Sequence, residues 1–171
     1  MVKRPASTDP IVIGVDAASK RVAFVAIWGH KFHTMAVTKL GKTGAEACAG
    51  AWTVTHDFLH GLPWTDTKQI QAYVEWPVLG RGGFRSTMVQ AFTSGAVQGA
   101  LHDWGCETHG ANVSSWKKQV VGKGNATKDE VARSLQLRWP SLYATVEGDQ
   151  DLCDAASIAL YGRLVQRSDM G

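Results

Sequence analysis

An α/β fold built on a mixed sheet is predicted for this chain of 171 residues, and three observations predict it. The run Ile11-Val12-Ile13-Gly14-Val15-Asp16 is apolar enough to form a strand buried on both faces. Two further strand-like runs follow across links too short for a parallel return, so the three are antiparallel neighbours. From residue 44 onward, helical and strand periods alternate, which is the pattern of parallel strands joined by crossover helices.

The elements follow in order. After the tight turn Ala17 to Lys20, Val22 to Trp28 reads as a second buried strand. Gly29-His30-Lys31 turns the chain, and Phe32 to Thr38 alternates as a third strand. Over residues 44 to 60, Ala47, Ala51, Val54, Phe58 and Leu59 recur at helical spacing, and Gly61-Leu62-Pro63 ends that helix. Gln69 to Glu75 is a fourth strand, parallel to the first by a right-handed crossover. Pro77, Gly80, Gly82 and Gly83 make a loop that carries Arg81 and Arg85. A long helix spans Ser86 to Trp104. Its Ala91, Gly95 and Gly99 fall on one side, suited to close packing within the molecule or in a dimer interface. Glu107 to Val113 is a fifth strand. Ser114 opens a short helix through Val120, Thr127 or Asn125 caps another to Arg138, and Asp149 to Arg167 is the last helix. Three antiparallel strands, then helix, strand, helix, strand and helices, with helices on both faces of the sheet, is the order of the ribonuclease H-like fold.

Composition agrees with one folded domain over residues 11–171, preceded by a frayed polar arm over 1–10 with Lys3, Arg4, Pro5 and Pro10. A hydrophobic fraction of 44% with seven Trp excludes a disordered chain. No run is long and apolar enough to cross a membrane, and no signal-peptide pattern is present. Cys48, Cys106 and Cys153 are widely spaced and odd in number, which makes neither a disulfide framework nor a metal knuckle and fits a reducing, cytoplasmic setting. The net charge of +3 permits a nucleic-acid partner without demonstrating one.

The residue types at the strand ends point to chemistry. Asp16 ends the first strand and Glu75 ends the fourth; if those strands are parallel neighbours, both carboxylates emerge at the edge where ligands of open α/β sheets gather. Asp16 taken alone either caps the turn or needs a donor, a basic partner or a metal ion. Asp151 and Asp154 are three apart, so they share one face near the start of a helix otherwise suited to burial. Either one alone would be an ordinary complement to the helix dipole. Four such acids converging without matching basic residues would repel one another. Mg²⁺ or Mn²⁺, which prefer oxygen ligands, resolves that repulsion. Two such ions, roughly 4 Å apart, suit phosphodiester cleavage. A second constellation is basic: Lys117, Lys118, Lys123, Lys128, Arg133 and Arg138 lie between Ser114 and Arg138, with Gly122 and Gly124 letting backbone approach a phosphate. It is either a solvated charged face or, with Arg81 and Arg85, one of two basic loops holding a polyanion across an acidic centre.

The chain resembles the RuvC family of Holliday-junction resolvases. The resemblance rests on Ile13-Gly14-Val15-Asp16, on Tyr73-Val74-Glu75, on the segment from Trp116-Lys117-Lys118 through Gly122-Lys123-Gly124-Asn125-Ala126-Thr127-Lys128-Asp129, and on Asp151-Leu152-Cys153-Asp154-Ala155-Ala156, in family order over nearly the whole chain. The Trp-Lys-Lys and Gly-Lys-Gly segment is most like the phage-type and chloroplast-type branches. The resemblance implies a homodimeric, Mg²⁺-dependent endonuclease, Mn²⁺ substituting, that nicks two opposed strands of a four-way DNA junction. It implies Asp16, Glu75, Asp151 and Asp154 as catalytic and metal-binding acids, Lys123 and Lys128 at junction-contacting positions, and the helix from Ser86 as the dimer helix. A bacterial or phage-infected cell is the expected setting. One departure stands out: bacterial members carry an aromatic wedge soon after the strand-four Glu, whereas Trp76, Pro77, Val78 and Leu79 follow Glu75 here, with Phe84 the next aromatic. The alternatives are a nuclease of the same fold acting on flap DNA or an RNA/DNA hybrid, and a junction-binding protein that does not cut.

Two motif-like matches are set aside. His56-Asp57-Phe58-Leu59-His60 imitates a zinc-protease helix, but Phe58 and Leu59 belong to a packing face. Gly41-Lys42-Thr43 lacks the first glycine of a phosphate loop, since Ala36 stands there. Trp116, beside two Lys, reads as a buried anchor for its short helix rather than a DNA-stacking residue.

Overall fold

The computed structural model describes residues 10–63, 69–78 and 83–169; the Met1 to Asp9 part of the expected arm, and Arg81, lie outside them. Five strands, β1 (Ile11–Ala17), β2 (Arg21–Trp28), β3 (Lys31–Thr38), β4 (Ile70–Glu75) and β5 (Glu107–Ala111), form one sheet in the order β3-β2-β1-β4-β5. The β1–β2 and β2–β3 pairs are antiparallel, and β1–β4 and β4–β5 are parallel. The helices are α1 (Gly44–His60), α2 (Gly83–Asp103), α3 (Val113–Val121), α4 (Lys128–Arg138), α5 (Pro140–Val146) and α6 (Gln150–Asp169). This is the mixed sheet of the ribonuclease H-like fold that the periodicities predict.

Local chemistry moves several boundaries. The fifth strand stops at Ala111 because Asn112 turns the chain: its side chain accepts from the amides of Ser114 and Ser115 and caps α3 one residue ahead of the expected start. Thr127, not Asn125, caps α4, in a reciprocal box with Glu130. Thr43 does the same for α1 with Glu46, which is the use the Gly41-Lys42-Thr43 stretch finds. Helix α2 begins at Gly83 rather than Ser86. Helix α5 was not anticipated; it is seven residues long, too short to show a period, and starts at Pro140.

The two-residue period of β1 divides the molecule. Ile11, Ile13 and Val15 face the layer of α1 and α2, packing with Phe24, Phe58, Val74, Val97 and Leu101. Val12 and Gly14 face α6 and its neighbours, where Ala23, Val25 and Ile27 of β2 meet Ala155, Ala156 and Ala159. Gly14 is the point of nearest approach: a β-carbon there would overlap the carbonyl oxygen of Ala155 and the amide of Ala159. Further along α6, a β-carbon at Gly162 would overlap the ring of Tyr73 and approach Val12 at 2.9 Å. Helix α6 therefore runs back along β1, and its first turn lies beside the carboxyl end of that strand. The expected small-residue stripe of α2 is only partly used inside the molecule, for Gly99 lies against Trp52 while Gly95 has open space around it.

Gly14→Ala is expected to cost about 3 kcal/mol or more by forcing α6 off the sheet. Gly95→Ala, on an exposed helical turn, is expected to gain about 0.5–1 kcal/mol. Urea unfolding of the two variants beside the parent checks both, and equal losses at the two positions would contradict the close approach.

Candidate active site

The strand register brings the first two acids together. Val15 pairs with Val74, so Asp16 and Glu75 are the next residues of adjacent parallel strands at one edge of the sheet. Asp16 shares the α6 face with Gly14, two residues back; Glu75 shares it with Tyr73, whose ring lies against Gly162. Asp151 and Asp154 stand in the first turns of α6, just ahead of the Ala155 carbonyl that touches Gly14. All four acids thus gather where the carboxyl ends of β1 and β4 meet the start of α6.

Their electrostatics record that gathering. Burial raises the Asp16 pKa well above the ordinary carboxylate range, and the charges of Glu75, Asp154 and Asp151 raise it further. Burial lifts Glu75 to about 7, with Asp154 and Asp151 adding and a hydrogen bond from Trp116 opposing. Asp154 is raised by burial, against the hydrogen bond from Gln150 and the charges of Lys117 and Lys128. Lys117 and Lys128, both singled out in the sequence, are thus cations whose fields reach the acids.

The acids are not without a basic partner, which corrects the sequence expectation. Arg21, at the start of β2, reaches Asp151 with its Nε 2.6 Å from Oδ2, and its terminal nitrogen pairs with Asp149. Asp149 in turn accepts from the amides of Asp151 and Leu152, both at 3.0 Å, so it caps α6. Trp116 is buried, as expected of an anchor, and its indole N–H also donates to Glu75 at 3.0 Å. Gln150 donates to Asp154 at 3.0 Å. Arg21, Asp149, Gln150 and the Trp116 bond escaped sequence reasoning. The signal for Arg21 was available: Asp16 pairs with Ala23, and Arg21, two residues before Ala23, falls on the same face.

The basic residues divide. Lys117 donates to the carbonyl of Ala126 at 2.9 Å and lies over the Trp116 ring. Lys118 is exposed on α3, Lys128 is exposed at the start of α4, and Arg85 is exposed in the first turn of α2. Lys123 is already partnered: it pairs with Glu130 and, with the Thr127 amide, holds that carboxyl at about 2. Trp76 is half exposed, and its indole lies directly over Gly110 of β5, while Phe84 is 74% exposed. His56 and His60 of α1 pack against Trp104, and among the described residues neither belongs to a metal-like cluster. Burial pushes the thiols of Cys106 and Cys153 up to about 11, so both are unreactive at neutral pH.

The donor set suits a hard divalent cation, being carboxylate oxygens that repel one another in a partly desolvated rim. Among the described residues no three His, Cys, Asp or Glu side chains form a ready metal cage. Glu75, Asp154 and Asp151 each give one oxygen to Trp116, Gln150 and Arg21 respectively.

No protein-family model and no curated protein matches the sequence. Among solved structures, the chain is similar to Thermus thermophilus RuvC, with a TM-score of 0.70 at 19% identity, covering 93% of this chain and 96% of that one. It is equally similar to T. thermophilus RuvC in complex with Holliday junction substrate, with a TM-score of 0.71 at 17% identity over 94% of this chain and 96% of that one. The fold is therefore that of RuvC along nearly the whole chain.

A carboxyl held neutral in the folded state destabilises the protein once it ionises. For Glu75 that cost is absent below the unfolded value of 4.5 and complete above about 7. The metal-free melting temperature is expected to fall between pH 5 and 8, with Glu75→Gln flattening the slope. Trp116→Phe, which keeps an aromatic side chain but removes the donor, is expected to extend that slope to higher pH. Calorimetric scans across this range check both outcomes.

Proposed function

We propose that this chain is a RuvC-type endonuclease that resolves four-way DNA junctions by paired, symmetric nicks, working as a homodimer with Mg²⁺, or Mn²⁺ in its place. The observation that carries the reading is the convergence of Asp16, Glu75, Asp151 and Asp154 at one sheet edge, faced by Lys117 and Lys128, in a chain that follows the RuvC fold almost end to end. A site made only to bind a polyanion gains nothing from partly buried acids, whose charge opposes the phosphates.

In this reading the four acids hold the metal ions. Bound there, divalent cations supply an activated water and charge neutralisation at the leaving oxygen. The protein's own part is positioning. Asp16 and Glu75 project from adjacent central strands, so their spacing is set by backbone pairing rather than by loop conformation. Trp116 fixes one oxygen of Glu75, and Gln150 fixes one of Asp154. Lys117, Lys118, Lys123 and Lys128, together with Arg81 and Arg85, contact phosphates and set the register of the scissile bond; Lys123 exchanges Glu130 for phosphate to do so. For the homodimer, the support is the outer face of α2, where Phe84, Met88 and Phe92 recur at four-residue spacing and are 74%, 40% and 51% exposed.

The test is a synthetic immobile junction beside matched duplex and flap DNA, with and without Mg²⁺ or Mn²⁺. Metal-dependent symmetric nicks on the junction are expected, and Asp16→Asn and Glu75→Gln are each expected to slow cleavage by at least roughly 10²-fold while junction affinity stays. Equal cleavage of all branched substrates would remove the junction from the reading, and tight binding without cleavage under either metal would remove the enzyme.

A further inference from the structure

The acids of the site do not all stand in the same surroundings. Asp16, Glu75 and Asp154 have raised pKa values, with burial the first cause of each. Asp151 instead carries a guanidinium, that of Arg21. The contact is built from two directions. The β1–β2 turn is closed by the Ala18 amide donating to the Arg21 carbonyl at 2.9 Å, which fixes the arginine beside the end of β1. Pairing of Asp16 with Ala23 then puts Arg21 on the α6 face of the sheet. From the other side, Asp149 caps α6 with one carboxylate oxygen and meets Arg21 with the other. One guanidinium thereby spans the helix cap and the first acid of α6. Its side chain is only 32% exposed.

We propose that Arg21 is a positioning residue that serves as the resident counter-ion of this site: it holds Asp151 where a further cation would otherwise be drawn, and so weakens the site's affinity for divalent metal while keeping the acid-rich first turn of α6 in place. The proposal rests on the metal-binding reading above. Its physical basis is charge balance. Four carboxylates in a partly desolvated rim attract a divalent ion strongly, and one fixed positive charge in contact with the fourth lowers that attraction. The same fixed charge offsets repulsion among the acids when no metal is bound, so its removal trades metal-free stability for affinity. Arginine suits this role better than lysine, because its planar fork can engage two carboxylates together.

The test is calorimetric titration of Mn²⁺ into the full chain without DNA. Arg21→Gln is expected to bind Mn²⁺ about fivefold more tightly than the parent, by loss of the opposing charge, and to melt at a lower temperature when metal-free. Arg21→Lys, which keeps the charge but not the fork, is expected to fall between the parent and Arg21→Gln in Mn²⁺ affinity. In the Asp151→Asn background, Arg21→Gln is expected to tighten Mn²⁺ binding far less than it does in the parent, since the released carboxylate is gone; a merely structural arginine would change affinity equally in both backgrounds. Should Arg21→Gln not fold, Arg21→Met keeps the aliphatic stem and serves the same comparison. Unchanged or weaker Mn²⁺ binding in the neutral variants would overturn the counter-ion role. Asp16→Asn is the separate control: if it binds Mn²⁺ as the parent does, the metal-binding reading itself fails, whatever Arg21 does.

Discussion

The approach of α6 to β1 at Gly14 is the constraint on which the rest of the structure depends. A helix packed on a sheet normally stands off by the length of its side chains. Here the strand presents no side chain at Gly14, and the helix presents Ala155, Ala156 and Ala159, so backbone meets backbone. That contact sets how far along β1 the helix begins. It places Asp154 one residue before the contact point, at the level of Asp16. The acids could not share a rim if α6 sat a side chain's length further out, because the helix carries two of them and the strands the other two. Packing of small residues and chemistry of large charges are thus one design problem, solved along the seam where Gly14 meets Ala155, Ala156 and Ala159.

Much of this was legible in the sequence, and the reasons are specific. The run from Ile11 to Val15 is apolar without interruption, the two links after it are short, and the helical period over residues 44 to 60 is clear, so the sheet followed with little ambiguity. The acids were legible because a carboxylate at the end of a buried strand has few ordinary uses. The rest depended on contacts between residues far apart in the chain. Arg21 and Asp149 are separated by 128 positions, and nothing local to either announces the other. Trp116 was legible as a buried anchor of its short helix, but the acid its indole would meet was not. The caps at Asn112 and Thr127 turned on local side-chain bonds, and the short helix α5, with no side-chain cap, is too brief to show a period.

The site also shows how a fold tolerates a local conflict. The partly buried carboxylates oppose folding wherever they are ionised, and the neighbouring structure answers three of the four acids differently: Glu75 with an indole donor, Asp154 with an amide donor, Asp151 with an ion pair to a guanidinium. None of these removes the conflict, since Asp16, Glu75 and Asp154 stay raised. They hold each carboxylate in one orientation, so that the cost is carried by extensive apolar packing on both faces of the sheet.

The order of the strands carries a consequence for behaviour in concentrated solution. The strand β3 lies at one end of the sheet and pairs without interruption along all eight of its residues, from Lys31 to Thr38. Among the described residues its outer hydrogen-bonding edge is therefore long and regular, carries no proline, and has one charged residue, at its first position. Such an edge is a template for a further strand. At the opposite end β5 is short and begins with Glu107. Self-association by sheet extension, where it occurs, starts at β3, so the edge to blunt in a more soluble variant is the one farthest from β5.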